Sequence, residues 1–278
     1  MRTGTRTPYL PAISPKNRGT LNLIMNPLSG KTALVTGASR GTGRASALAL
    51  AKAGAQVLVH YCREDTAANE VVAQIRAAGG HAEKIAADLG APDGPHRLAN
   101  RARVVIGARL DVLVCSAGMT KDASIEDTTV ADFDELFALN ARAPYFLVQQ
   151  LMPAMCKGSS VVLVSSQTAH ARVGTVSASA SAYAASKGAA DTLVKYFATA
   201  LGARGVRVNA IALGGVATRI SDLTTRNCGR LTQTAPEKQM FKRIAQAEDV
   251  GGTVVFLASD AARWITGETL CVDGGSQL

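Results

Sequence analysis

The chain has 278 residues, 47% hydrophobic and only 4% aromatic, with 30 Lys and Arg against 21 Asp and Glu for a net charge of +9. This is enough apolar material for one α/β domain of about 250 residues, and no apolar run approaches the roughly 18–20 residues of a membrane span. Five scattered cysteines without a C-x-x-C pair and four histidines without ligand spacing argue against a disulfide framework and against a metal site, and fit a reducing cytoplasm.

Residues 1–24 hold Arg2, Arg6, Lys16 and Arg18 and no acid, together with Pro8, Pro11 and Pro15. With no apolar period, residues 1–28 read as a basic, disordered extension. Met25 is a second candidate start, and a targeting peptide is the other reading of this segment. The remaining basic excess forms no stripe interleaved with aromatics, so nucleic-acid binding is not indicated. It suits an anionic cofactor or an acidic carrier-bound substrate.

From residue 31 short aliphatic runs alternate with alanine-rich helical stretches. Strands are predicted at 31–36, 56–61, 81–88, 110–118, 159–166, 206–212 and 268–275. Helices are predicted at 43–54, 66–80, 95–107, 129–156, from the stretch SASASAYAASKG (177–188) to about 203, and at 247–262. Strands that are aliphatic throughout, separated by helices, imply parallel pairing with both faces covered. The expected fold is α/β: one doubly wound Rossmann-type domain over residues 29–278, with about seven parallel strands. Such sheets bind ligands beyond the carboxyl ends of their strands. The polar segment 217–246 breaks the alternation and reads as a substrate lid. Cys115 and Cys271 fall in strand-like runs and read as small buried hydrophobes.

The first strand runs into TGASRGTG (36–43). Gly37, Gly41 and Gly43, with Ser39 and Arg40, form a turn whose following helix offers free N–H groups to a pyrophosphate. The second strand ends in VHYCRED. His60 and Tyr61 occupy the position that reads the adenosine ribose, where an acid would select NAD. Arg63 and Arg40 instead favour the 2′-phosphate of NADP. Glu64 or Asp65 would supply the acid if the alignment slipped. Tyr183 and Lys187 are four residues apart on a predicted helix and share a face. An ammonium beside a phenol lowers its pKa, and such a pair can pass a proton to or from a carbonyl or alcohol oxygen. In isolation the same spacing is common in surface helices.

TGASRGTG, CSAG after the fourth strand, Asn140, the Ser165–Ser166 pair, YAASK, VRVNAIALGGVAT and the closing VDGG occur in one order along the chain. In this, residues 29–278 resemble the short-chain dehydrogenases/reductases, the 3-oxoacyl-carrier-protein reductase-like branch most of all. The resemblance implies an NADPH-dependent reductase of a small carbonyl or alcohol substrate, carrier-bound or free, assembled as a homotetramer through the long fourth and fifth helices. It implies that Tyr183 is the general acid, Lys187 its partner at the nicotinamide ribose, Ser166 the substrate-orienting serine and Asn140 the residue that positions a relay water. It places Asp88 at the adenine, Ala117 and Gly118 at a close backbone approach, and Gly214, Val216 and Thr218 at the nicotinamide amide.

Three departures stand out. Cys115 and Ser116 replace two asparagines, removing their hydrogen bonds. Leu213 replaces a proline, which is expected to loosen a turn. The 17 residues from Ser166 to Tyr183 are a few more than usual, which leaves Ser165 as a rival for the serine role. These departures motivate a second reading, a dinucleotide-binding regulator or scaffold with little catalysis.

Overall fold

The computed structural model describes residues 26–170, 178–217 and 239–276. The expectations for residues 1–25, for Thr218, and for most of the 217–246 segment lie outside these residues, as do those for residues 171–177. The elements in chain order are β1 (Thr32–Val35), α1 (Gly41–Lys52), β2 (Gln56–Tyr61), α2 (Asp65–Ala77), β3 (Ala82–Ala86) and α3 (Gly94–Ile106). Then come β4 (Val112–Cys115), α4 (Val130–Phe137), a π turn (Ala138–Arg142), α5 (Ala143–Leu151), β5 (Ser160–Ser166), α6 (Ser181–Gly202), β6 (Arg207–Leu213), α7 (Ala247–Ala258) and β7 (Thr269–Val272).

The seven strands form one parallel sheet in the order β3-β2-β1-β4-β5-β6-β7. The winding reverses between β1 and β4, so a crevice opens there beyond the strand ends. Alternate residues of each strand feed two cores. Val35, Val57, Val59, Val114 and Ile211 pack with Leu50 of α1 and Val254 of α7 on one face. Leu34, Leu58, Leu113 and Leu163 pack with Leu98 of α3, Leu147 of α5 and Val194 of α6 on the other. Small side chains let the helices approach closely: a Cβ on Gly251 of α7 would come within 2.9 Å of the Ala49 Cβ on α1. Cys115 is buried as expected, but Cys271 is exposed, because β7 is an edge strand with only partial cover.

Two buried polar residues tie β6 to its surroundings. Arg207 donates to the Leu257 and Ser259 carbonyls at 2.6 and 3.1 Å, satisfying the C-terminal end of α7. Asn209 donates to the Ile265 carbonyl at 2.9 Å and accepts from the Glu268 N–H at 3.1 Å. Leu213 does not loosen a turn. It is the last residue of β6, in register with Ser166 and Val272, so the strand continues where a proline would interrupt the ladder.

The helix expected at 129–156 is interrupted. Thr129 caps α4 by accepting from the Asp132 N–H at 3.1 Å, and the chain then widens into the π turn before α5. Pro144 lies in the first turn of α5. A proline has no N–H, so the Asn140 carbonyl four residues back gets no helical donor from it.

Candidate active site

A cavity of about 870 Å³ fills the crevice between β1 and β4. The turn from Gly37 to Gly43, the end of β2, the loop Asp88–Ala91 and the segment Ser116–Met119 line it, with Leu139 of the π turn beyond. The glycines of the first turn are required by close contacts. Gly37 has φ +64°, and a Cβ there would lie 2.9 Å from the Ala117 Cα; a Cβ on Gly43 would lie 2.2 Å from the Gly37 carbonyl oxygen. No side chain caps the N-terminus of α1, so its first N–H groups stay open to an anion.

Ser39, Arg40, Gly41, His60, Arg63, Asp88, Ala117 and Gly118 all line this cavity. His60 does so as part of the wall. Its Nδ1 accepts from the Gly37 N–H and its Nε2 meets the Ala87 carbonyl, both at 3.1 Å, which fixes a neutral ring with its proton on Nε2. Burial lowers its pKa to about 4. The ring therefore braces the glycine turn against the end of β3, with nothing left over for a ribose. Tyr61 does not line the cavity, a correction to the sequence reading. Strand alternation turns it away from His60, its hydroxyl donates to Asp65, and Lys84 joins that group. Arg40 pairs with Glu64 at the cavity mouth, both partly exposed.

The backbone of the CSAG segment is held by Thr36, which the sequence reading did not single out. Its hydroxyl accepts from the Ser116 and Ala117 N–H groups at 3.0 and 2.9 Å and donates to the Val114 carbonyl. The Ser116 hydroxyl reaches Thr42 of α1 at 3.4 Å. Gly118 brings this strand end against the polar residues behind it: a Cβ there would meet Asn140 Oδ1 at 3.0 Å and Lys187 Nζ at 3.2 Å.

Beyond Gly118, Ser166, Tyr183, Lys187 and Asn140 converge. Ser166 accepts from the Thr168 hydroxyl at 2.8 Å and lies beside the Tyr183 phenol. Burial raises the Tyr183 pKa, and the Ser166 hydrogen bond opposes that rise. Lys187 makes its hydrogen bond to the strand behind the helix and faces the Tyr183 ring rather than its hydroxyl. Its Nζ lies 5.9 Å from the ring centroid and donates to the Val164 carbonyl at 2.8 Å. Burial lowers the Lys187 pKa to about 8, while Asp191 and Cys115 work in the opposite direction. The Cys115 thiol itself is pushed up to about 12 by burial.

Asn140 uses its side chain as a clasp. Its Nδ2 donates to the Met119 carbonyl and the Ser186 hydroxyl, each at 2.9 Å, and its Oδ1 accepts from the Met119 N–H at 3.0 Å. Ser186, also missed from sequence, donates onward to the Tyr183 carbonyl at 2.7 Å. Ser165 does not compete with Ser166, because its hydroxyl is taken by Asp191 at 2.8 Å. Gly214 and Val216 lie apart from the cavity. A Cβ on Gly214 would strike Asp273 at 2.8 Å, and Val216 bridges to Ala245.

A family model described as Enoyl-(Acyl carrier protein) reductase matches residues 37–277. Versicolorin reductase stcU of Emericella nidulans is 36% identical over 258 residues, covering 90% of this chain and 96% of its own. The crystal structure of the angucycline C-6 ketoreductase LanV with bound NADP superposes with a TM-score of 0.83 at 37% identity, covering 91% of this chain and 97% of that one. A short-chain dehydrogenase from Burkholderia cenocepacia J2315 in complex with NADP superposes with a TM-score of 0.84 at 34% identity, covering 91% and 100%.

Proposed function

The chain belongs to the short-chain dehydrogenase/reductase family, and from that premise we propose that it is an NADPH-dependent ketoreductase with Tyr183 as its acid. The observation that carries this reading is the half-buried Tyr183 phenol beside Ser166, behind Gly118 of a cavity lined by the glycine turn. The cofactor fits the residues present. The glycine turn and the open N-terminus of α1 would hold the pyrophosphate. Arg40 of the glycine turn and Arg63 just after β2 would meet the 2′-phosphate, and Asp88 would face the adenine. Gly118 and Lys187 would lie on the nicotinamide side, with Gly214, Val216 and Thr218 toward the amide.

NADPH, when bound, supplies the hydride for the carbonyl carbon. Ser166 holds the substrate oxygen by its hydroxyl, and Tyr183 gives that oxygen its proton. Burial keeps Tyr183 protonated at neutral pH, the form that reduction requires. Lys187 is an ammonium below about pH 8, a charge that favours the phenolate left after transfer. Asn140 stands between Met119 and Ser186, and its carbonyl, which Pro144 cannot serve, is suited to a water that reloads the tyrosine through Lys187.

Ketones of versicolorin and angucycline type head the substrate list, because relatives are named for them; carrier-bound 3-oxoacyl groups form the second arm. Residues 217–246 are proposed to cover the substrate, and residues 1–28 to lie outside the catalytic domain. Exposed Phe133 on α4, Tyr145 on α5 and Tyr196 on α6 support a homotetramer through these helices. Among the described residues no helix is long and apolar enough to cross a membrane; the cytoplasm is the proposed setting. The test is a ketone panel followed by NADPH absorbance, repeated with NADH. Turnover that prefers NADPH supports the proposal. Cofactor binding without turnover on any ketone replaces it with a binding or regulatory role, and equal efficiency with NADH removes the NADP assignment.

A further inference from the structure

Three consecutive residues of β5 each bind a different turn of α6. The Val164 carbonyl accepts from Lys187, Ser165 donates to Asp191, and Ser166 meets Tyr183. Two of the three helix residues are in the proposed chemistry. The third, Asp191, is not, although its carboxylate is only 13% exposed and has partners on three elements. One oxygen takes the Ser165 hydroxyl at 2.8 Å and His170 Nε2 at 2.9 Å; the other takes the Thr269 hydroxyl at 3.2 Å. Its partners therefore come from β5, from the turn Gln167–His170 that follows Ser166, and from β7. Desolvating a carboxylate is costly, and simple helix packing against a sheet is met more cheaply by an aliphatic side chain.

We propose that Asp191 is a positioning residue that holds the catalytic helix in register on β5, so that Tyr183 meets Ser166, and that it sets a negative charge one helical turn from Lys187. The proposal rests on the assignment of Tyr183, Lys187 and Ser166 given above. Asp191 is eight residues from Tyr183, about 12 Å along the helix. A tie at that end and the Lys187 tie between them prevent α6 from sliding along the strand. The charge acts one helical turn away, where Lys187 is flanked by the Cys115 thiol of β4 and by the Tyr183 ring on its own helix. The groups facing Asp191 itself are Lys187, His170, Ser165 and Thr269, of which only the first two titrate.

The two roles are separable on the full-length chain with NADPH and an accepted ketone. Asp191→Asn removes the charge, and Ser165→Ala removes one tie while leaving the charge. Asp191→Asn is expected to lower kcat about 10-fold with the NADPH Kd held within about twofold, and to move the alkaline fall in kcat down by about half a pH unit or more. Asp191→Glu is expected to return that limb toward its original position. Ser165→Ala is expected to lower kcat a few-fold, on the order of one hydrogen bond, without moving the limb. Wild-type kcat and an unmoved limb in Asp191→Asn overturn the proposal. So does a loss of kcat and NADPH binding together that follows the fall in Tm, since that is structural damage alone. Tyr183→Phe measured alongside separates the two readings. If it stays active the proposed function fails; if it is inactive while Asp191→Asn is normal, only the role of Asp191 fails.

Discussion

Protonating His60 should dismantle the glycine turn, and the cost can be worked out. The ring is 2% exposed and uses Nδ1 to accept from the Gly37 N–H. A second ring proton would point at that N–H with no acceptor left. Its pKa therefore falls from 6.5 to about 4 in the folded chain. Because the folded value lies below the unfolded one, the unfolded chain binds the extra proton first as pH drops. The stabilisation from neutral His60 is complete above about pH 6.5 and is lost as pH falls toward 4. Two-state linkage with these values gives a loss of about 2 kcal/mol between pH 6.5 and 4.5. Urea unfolding at a series of pH values measures it. His60→Gln keeps an acceptor and a donor but cannot titrate, so the difference between wild type and variant isolates this group from the carboxylates and the other histidines. Parallel pH slopes for the two proteins, or a wild type that gains stability over this interval, would refute the reasoning.

Glu64 competes with the cofactor for Arg40, so Glu64→Gln should tighten NADPH binding by about 10-fold, with a smaller effect on NADH, in a fluorescence titration. Gly43→Ala places a Cβ 2.2 Å from the Gly37 carbonyl oxygen, so NADPH binding should fall by about 10²-fold or more while the chain still folds by circular dichroism. Arg207→Met removes two hydrogen bonds that carry charge to the end of α7 and should destabilise the chain by roughly 3 kcal/mol in denaturant unfolding, leaving the proton-transfer residues in place.

The central strands β1, β4, β5 and β6 were legible because both their faces are covered, which leaves nearly unbroken apolar runs; the edge strands β3 and β7 carry exposed residues and were placed by the alternation around them. The candidate site residues were legible because hydride and proton transfer call for particular side chains, and the fold brings Ser166, Tyr183, Lys187 and Asn140 to one place. What escaped depends on partners far away in the chain. Thr36 reads as an ordinary strand end until Ser116 and Ala117 fold onto it. Ser186 and Asp191 look like helix surface until Asn140 and β5 arrive. Tyr61 and His60 are adjacent in sequence, and only strand parity tells which one faces the cavity. The i,i+4 spacing suggested that Lys187 acts directly on the phenol. Burial, which spacing does not report, raises the Tyr183 pKa and lowers that of Lys187. The π turn was hidden because Pro144 is equally at home in the first turn of any helix.

The central claim is that Tyr183 delivers the proton to a substrate oxygen held by Ser166. Tyr183→Phe keeps the ring and its packing and removes one hydroxyl. With NADPH and the best ketone of the panel, turnover should fall by about 10²-fold or more while the NADPH Kd stays within about twofold. Turnover within twofold of wild type would contradict the account.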